Sequence, residues 1–563
     1  MNSRPGSFDL GQSLSEAVGL QRRGELREAE KIYARVLKTV PDNFDALNLL
    51  GGVKLQQGQF GEAQRLFSAA AKAKPQSPYA WSNLGQALFA LRRAPEALEC
   101  LDKARALAPD DAAILNQHAN VLLSLDRAKD ALAEFEIALA RMPQNMEARL
   151  NSGLAQAALG FPDRALAAFD AALALAPDHP VAHYNRGVAL IALGRYAEAV
   201  AANDRALAAA PDYPIAWLNR GKALAQLRRF DEAVASYDKA LALRKDDANA
   251  HFNKALALLT LGDYRRGFAD YEWRWRRTGM AAERSRGRPL WLGEYPLARK
   301  TILLHAEQGL GDTIQFARYV PLLAANGAKV ILEVQPELKP LLARLDGAAT
   351  VIARGEAAPA FDVHCPLGSL PLALKTDAST VPAQMPYLSV DQTHGTKWSA
   401  RVGALPQPRI ALAWSGNASH DNDRNRSIAF AKLAPLFANA ASFVSIQRDV
   451  RDTDAEQLAD EKRVTDVGGE LENFSDTAAV LALCDLVIAV DTAAVHLAGA
   501  MGRPVWVLVP FAPDWRWRLD GETTLWYPTA RLFRRTALDD WDGVIGRVAA
   551  ALAHFIGENA AGR

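Results

Sequence analysis

The chain has 563 residues, half of them hydrophobic, and a formal net charge of +1. That length accommodates about two to four domains, each able to bury a sizeable core. The near-neutral balance gives no ground for bulk binding to nucleic acid or to an anionic membrane.

The first residues, MNSRPGSFDLGQ, hold no apolar signal core, and no uncharged apolar run is long enough to span a bilayer. The expectation is a cytoplasmic protein without a membrane span, with residues 1–9 as a tail. Cys100, Cys365 and Cys484 are odd in number and fit no metal-ligand spacing, which agrees with structural thiols in a reduced compartment.

From residue 10 to about 278 the sequence repeats. Prolines stand at Pro41, Pro75, Pro109, Pro143, Pro177 and Pro211, each gap being 34 residues. Alanines keep the same interval at Ala63, Ala97, Ala131, Ala165, Ala199 and Ala233, and small residues recur at Gly51, Gly85, Ala119, Gly153, Gly187, Gly221 and Ala255. Such a period predicts stacked helical hairpins: small residues let two helices approach, Phe67, Phe135, Phe169 and Tyr237 fill the gap, and proline ends the second helix. YAWSNLGQALFALRRAPEALECLDKARALAP is one such unit. The pattern resembles the tetratricopeptide repeat (TPR), an α-solenoid, in about eight units, the last ending in YEWRWRR as a cap.

Asn83, Gln117, Asn151, Asn185, Asn219 and Asn253 recur two residues before the small position on the first helix of a unit. An amide donates and accepts at once, which suits it to the backbone of an extended peptide. A ladder of amides bonded between neighbouring repeats is the alternative. The peptide reading resembles the asparagine ladder of TPR-containing protein O-glycosyltransferases, which implies an acceptor polypeptide in the groove. The first two units carry Ser15 and Leu49 instead.

Residues 279–299 are rich in Arg, Pro and Gly and read as a linker or docking strap. Beyond them apolar runs of strand length alternate with helical stretches, the pattern of βα units in a parallel sheet. TILLHA, AKVILEV and ATVIA fall in a first lobe, 300–377, and TDASTVPAQMPYLSVDQTHG lies in a connector at 378–400. RIALAWSG, SFVSIQ, VTDVGG, DLVIAVD, PVWVLVP and TARLF belong to a second lobe, 401–563, which ends in a helix able to pack back across the lobes. Two Rossmann-like lobes enclose a cleft at the carboxyl ends of their strands.

Three stretches carry candidate chemistry. HAEQGLGDTIQF follows a strand with the glycine grammar of a phosphate cradle, yet places Asp312 where a phosphate would sit. In DLVIAVDTAAVHLAG a strand ends at Asp491, Thr492 can cap the following helix, and His496 lies in its first turns. A helix start of this kind is an anion site, or else an ordinary capped helix with a packed histidine. WSGNASHDNDRNRSI offers Arg424 and Arg426 to a diphosphate. Its His420, Asp421 and Asp423 lack a consistent metal-ligand pattern and read better as a solvated loop. Asp452, Asp454, Asp540 and Asp542 read as surface or capping carboxylates. No nucleophile elbow, Walker loop or paired-cysteine zinc motif occurs.

EQGLGDTIQFARY, WSGN…DRNRSI, VDTAAVHLAG and PDWRWRLD…WYP…RLFR, in that order, resemble the GT-B glycosyltransferases related to bacterial heptosyltransferases, in the group that places such a module after TPR repeats. The resemblance implies an inverting transfer from a nucleotide sugar, with no metal and no further cofactor. It makes Asp312 the general base on an acceptor turn with Gln308, Gly309 and Gly311, and it puts donor contacts at Asp491, Thr492, Ala493 and His496. Those enzymes carry a lysine on the loop matching WSGNASHDNDRNRSI; none stands here, so Arg424 or Arg426 substitutes, with Asn417 and Gln447 as further donor-site candidates. The implied acceptor is a Ser or Thr hydroxyl of a protein, flagellin being one candidate. Two other readings stay open: a scaffold with an inactive α/β half, and a transferase acting on glycan or lipid.

Overall fold

The computed structural model describes residues 9–277, 287–390, 392–419 and 422–561; linker residues 278–286, His420 and Asp421 fall outside them. The chain divides into two compact units, Met1–Asn219 and Arg220–Arg563. The division falls inside the helix Pro214–Gln226, so the last repeats group with the α/β part.

The first unit is a run of helix pairs beginning with Leu10–Arg22 and Leu26–Thr39 and continuing through Pro180–Ala192 and Tyr196–Ala209. Asp9, Asn43, Asp111, Asn145 and His179 cap first helices through their side chains. Within each pair the turn needs a left-handed residue, supplied by Gly24, Gly58, Gly160 and Gly194, but by Arg92 (φ 63°) and Asp126 (φ 58°) in two repeats. The small-residue positions work as expected: a methyl group on Gly153 would stand 2.5 Å from the Phe169 ring. A further device is periodic. Trp81 Nε1, Arg149 Nε, His183 Nε2 and Trp217 Nε1 each meet the carbonyl of the proline six residues earlier, at 2.7–3.0 Å. A carbonyl that the ended helix leaves unpaired is thereby satisfied.

In the second unit the last helix pair, Ala248–Leu261 and Tyr264–Tyr271, runs into a 3₁₀ turn, Glu272–Arg276. Four parallel strands follow: β1 (Thr301–His305), β2 (Lys329–Val334), β3 (Ala348–Ala353) and β4 (Val363–Pro366), in the order β3-β2-β1-β4. The second sheet holds β5 (Arg409–Ala413), β6 (Ser442–Ser445), β7 (Val464–Asp466), β8 (Leu486–Val490), β9 (Val505–Val509) and β10 (Ala530–Arg534). Its order is β10-β9-β8-β5-β6-β7, again all parallel. The strand β4 was not expected: its four residues, VHCP, end in proline and are too few to show a period.

In both sheets the strand order reverses once, between β1 and β4 and between β5 and β8. Ligands in such sheets bind where the order reverses, because the loops on either side diverge there. The final helix, Trp541–Ala561, buries Val544, Ile545, Val548 and Leu552 with Ile410, Leu412 and Leu486 of the second sheet. Tyr264 and Phe268 of the last repeat pack edge-on against Trp515, which in turn meets Trp526. Cys100, Cys365 and Cys484 are buried and unbridged. No described helix is long and apolar enough to cross a membrane.

Candidate active site

The turn after β1 leads into the helix Leu310–Phe316 with Gly309 at its start, and Asp312 reaches back so that its Oδ2 accepts from Gly309 N at 3.1 Å. The other carboxylate oxygen, Oδ1, accepts from Arg516 Nη2. Arg516 comes from the loop after β9. It also donates through Nε to Gln315 and through Nη1 to Asp514, the latter at 2.9 Å. The guanidinium is 8% exposed; burial works against its charge, but Asp514, Asp312 and Asp491 together hold its pKa above the ordinary value.

The turn after β8 faces the same place. A methyl group on Gly311 would stand 2.7 Å from His496 Cδ2 and 3.4 Å from Ala493 Cα, so a glycine is what lets the two turns meet. His496 pairs through Nδ1 with the Tyr527 hydroxyl at 2.9 Å and stacks on Trp517. Burial, with Arg516 and Arg318 nearby, lowers its pKa well below the usual value, so the ring is neutral at pH 7. Asp491 is pushed up to about 6 by burial and by the Asp514 carboxylate.

Thr492 occupies the N-cap position of the helix Ala493–Ala500 but makes no capping bond, contrary to expectation; its Oγ1 is buried without a partner. The helix start is therefore open toward the cleft. Two more buried polar atoms there have no hydrogen-bond partner, Ser415 Oγ after β5 and Arg426 Nε, whose nearest carboxylate oxygen on Asp423 lies 3.8 Å away. Arg426 Nη1 donates to Asp491 O at 3.0 Å, and the guanidinium lies against Gly416. Orphaned buried donors and hydroxyls at an uncapped helix start fit an anion such as a phosphate.

The other donor-site candidates are placed differently. Arg424 is exposed on the turn where Arg426 points inward. Asn417 is exposed and accepts from Ser419 N and Oγ, a local turn. Gln447 spends its amide on the loop after β5, accepting from Trp414 N and Ser415 N and donating to Ser415 O and Asp449 O. It shapes the loop rather than facing the cleft. Asp454, expected at the surface, is buried and accepts from the Trp414 indole at 2.9 Å. Among the described residues no group of three His, Cys, Asp or Glu is placed to hold a metal ion.

The turn after β1 is anchored to the end of the last repeat. Gln308 exchanges bonds with the Tyr271 hydroxyl, and Glu307 accepts from Arg274 Nη2 at 3.0 Å and from Gly368 N at 3.1 Å. Glu307 and Arg274 side chains are each 1% exposed. Burial pushes Glu307 up to about 7, while Arg274 draws it down. Glu307, Ser415 and Arg516 lay inside the quoted motifs, but nothing in their spacing marks them, because their partners are distant in sequence.

In the array the amides bond between repeats. Asn83 Nδ2 donates to Asn48 Oδ1 at 2.9 Å, Asn151 to Asn120 at 2.7 Å and Asn219 to Asn203 at 3.4 Å. Gln117 Oε1 accepts from Ser82, and Asn253 donates to Asn249 O in its own helix. Asn185 is buried, at 9% exposure.

Residues 20–82, 54–120, 116–180 and 153–214 match the family described as tetratricopeptide repeat, and 224–262 match TPR repeat. Residues 373–509 match glycosyltransferase family 9 (heptosyltransferase). Protein FlbA of Caulobacter vibrioides is 29% identical over 290 residues, 47% of this chain and 48% of that protein. The chain thus spans about half the length of the curated relative it matches. Among solved structures, the APC/C hetero-tetramer Cut9–Hcn1 is similar at 19% identity and a TM-score of 0.39, over 48% of this chain and 54% of that one. A thermophilic TPR protein in Thermus thermophilus is similar at 28% identity and a TM-score of 0.29, over 32% of this chain and all of that one. Neither structural likeness bears on the site. The chain is a tetratricopeptide-repeat array fused to a glycosyltransferase module that resembles the heptosyltransferases.

Proposed function

We propose that this chain transfers a sugar from a nucleotide-activated donor to a Ser or Thr hydroxyl of a protein, with inversion at the anomeric carbon and without a metal. The observation that carries the reading is the meeting of two turns at sheet switch points. One bears Asp312; the other bears an uncapped helix start beside the unpartnered Thr492 Oγ1, Ser415 Oγ and Arg426 Nε.

Asp312 takes the proton of the acceptor hydroxyl as its oxygen bonds to the anomeric carbon. The bond from that carbon to the donor phosphate oxygen breaks, and the electron pair leaves with the phosphate. Arg426, the Thr492 hydroxyl and the free N–H groups of the Ala493–Ala500 helix stabilise the charge that develops there. Gly309 keeps the acceptor turn slim enough for a peptide to approach, Gly311 lets the turn pack against His496, and Gln308 anchors it to Tyr271.

The array is the acceptor-holding part. Each bond seen at Asn83, Asn151 and Asn219 uses one hydrogen of the side-chain amide, so the side-chain oxygen and the second N–H are the groups to meet the backbone of an incoming chain. Flagellin is the first acceptor to try, on the resemblance alone.

The test incubates the purified protein with a panel of nucleotide sugars and follows nucleotide release and acceptor mass. Asp312→Asn should abolish transfer while nucleotide binding persists. Parallel loss of both would remove Asp312 from the role of base. Asn151, Asn185 and Asn219 changed together to Ala should lose protein modification yet keep slow donor hydrolysis. If they keep protein modification, the array does not hold the acceptor.

A further inference from the structure

The reading of Asp312 as base meets an obstacle in the structure itself. An acceptor hydroxyl has to reach one of the two carboxylate oxygens, and both are engaged. Oδ2 is held by Gly309 N at the helix start, and Oδ1 by the Arg516 guanidinium. The first bond belongs to the turn and comes from the same segment of chain. The second crosses from one lobe to the other, so it is the one that can open.

Arg516 sits where a second anion would draw it. Its loop neighbour Trp517 stacks on His496 with ring centres 5.7 Å apart, and His496 is itself packed against Gly311 beside Asp312. The open helix start at Thr492 lies one turn from His496. Around this space are the carboxylates of Asp312, Asp514 and Asp491, and the cations are Arg516, Arg426 and, against Tyr527 on the far side of His496, Arg318. A phosphate that enters beside the Asp312 and Asp514 carboxylates is favoured by a cation that turns toward it. A guanidinium pairs with phosphate oxygens in the same forked geometry that it offers a carboxylate.

One more observation marks the present arrangement as incomplete. Gln315 Oε1 accepts from Arg516 Nε, while its own Nε2 is buried with no partner. A buried amide donor left unsatisfied in a packed site calls for an acceptor that is not supplied by the neighbouring side chains.

We propose that Arg516 has two positions: parked on Asp312 when no donor is bound, and turned to the donor phosphate when the nucleotide sugar arrives, which frees Asp312 Oδ1 for the acceptor hydroxyl. The inference rests on the assignment of Asp312 as base and of the Asp491–His496 junction as phosphate site. Donor then binds before the base is released, so the acceptor is activated only when a sugar is in place. Arg516 is a positioning residue in the first state and a phosphate ligand in the second.

The experiment is a thermodynamic cycle by titration calorimetry, with UDP, ADP, GDP and CMP each as probe. The proteins are the full chain, Asp312→Asn, Arg516→Gln and the double variant, each checked for folding by circular dichroism. With the nucleotide that binds, Asp312→Asn should tighten binding several-fold, since Arg516 no longer has to be drawn off a carboxylate. Arg516→Gln should weaken binding about ten-fold or more, as loss of a charged phosphate contact does. In the double variant the gain from Asp312→Asn should vanish. If that gain persists without Arg516, Asp312 acts on the phosphate through simple repulsion and the two-position proposal is overturned. An unchanged affinity in Asp312→Asn overturns it as well. Failure of every probe to bind the unaltered chain would remove the phosphate site itself, a different outcome from binding without coupling. Should Arg516→Gln not fold, Arg516→Lys completes the cycle, because an ammonium keeps the charge but loses the forked contact.

Discussion

A methyl group on Gly311 would stand 2.7 Å from the ring of His496, although the two residues lie in helices that follow strands of different sheets. The glycine turn after β1 is thus the place where the first lobe touches the helix that follows β8. Gly311→Ala must push His496 or its helix away, an overpacking that costs about 1–3 kcal/mol. We expect a lower melting temperature together with a loss of transfer of ten-fold or more. A variant that melts lower but transfers normally would show that this contact does not set the site.

Arg426 and Arg424 lie two residues apart and separate cleanly in the structure. Arg426→Ala removes a guanidinium with an unpartnered Nε beside the helix start. Nucleotide binding should weaken by about 1.5–3 kcal/mol, the range for a hydrogen bond to a charged group. Arg424→Ala should change little. Calorimetry on both variants decides, and equal losses would contradict the placement of the phosphate at the Arg426 side.

Glu307 titrates at about 7 in the fold against an ordinary value of 4.5, burial outweighing the attraction of Arg274. The folded chain therefore binds an extra proton between those values, and the stabilisation is complete below about 4.5 and lost as pH rises through about 7. Asp491, also pushed up by burial, adds to the same slope. Melting temperature should fall as pH rises across this window, and Glu307→Gln should flatten the fall. Glu307→Ala, which leaves Arg274 with less of its buried charge partner, should destabilise by about 3–5 kcal/mol.

Arg92 holds a left-handed turn, φ 63°, at a position where five repeats use glycine. A side chain there costs about 1–2 kcal/mol relative to glycine. Arg92→Gly should raise stability by somewhat less than that, because a glycine also gains freedom in the unfolded chain. A drop in melting temperature would mean that the Arg92 side chain contributes more than its backbone costs.

The array was legible because one period repeats and every unit solves the same packing problem with the same small residues. The strands of the second sheet were legible because they are buried on both faces and read as apolar runs, as in DLVIAV and PVWVLV. β4 was not, being four residues long. In the candidate site, Asp312, Asp491 and His496 stood out because each follows a strand and opens a helix. Arg516 did not, although its motif was quoted, since its partners Asp312 and Gln315 lie some two hundred residues earlier. Gln447 and Asn417 turn out to make local bonds that the sequence does not reveal, for a related reason. A polar side chain at a strand end serves a ligand or its own loop equally well by sequence, and only the hydrogen bonds tell which. Thr492 shows the reverse: a residue type suited to capping is left unbonded where an anion would take its place.

The most direct measurement is intact-mass analysis of cellular proteins, flagellin among them, from the host lacking this gene and complemented with the unaltered chain or with Asp312→Asn. One protein should gain a discrete sugar mass with the unaltered chain and lose it with Asp312→Asn, while the variant still binds nucleotide. If no protein changes mass, or if the increment survives Asp312→Asn, the proposed transfer to protein through Asp312 is contradicted.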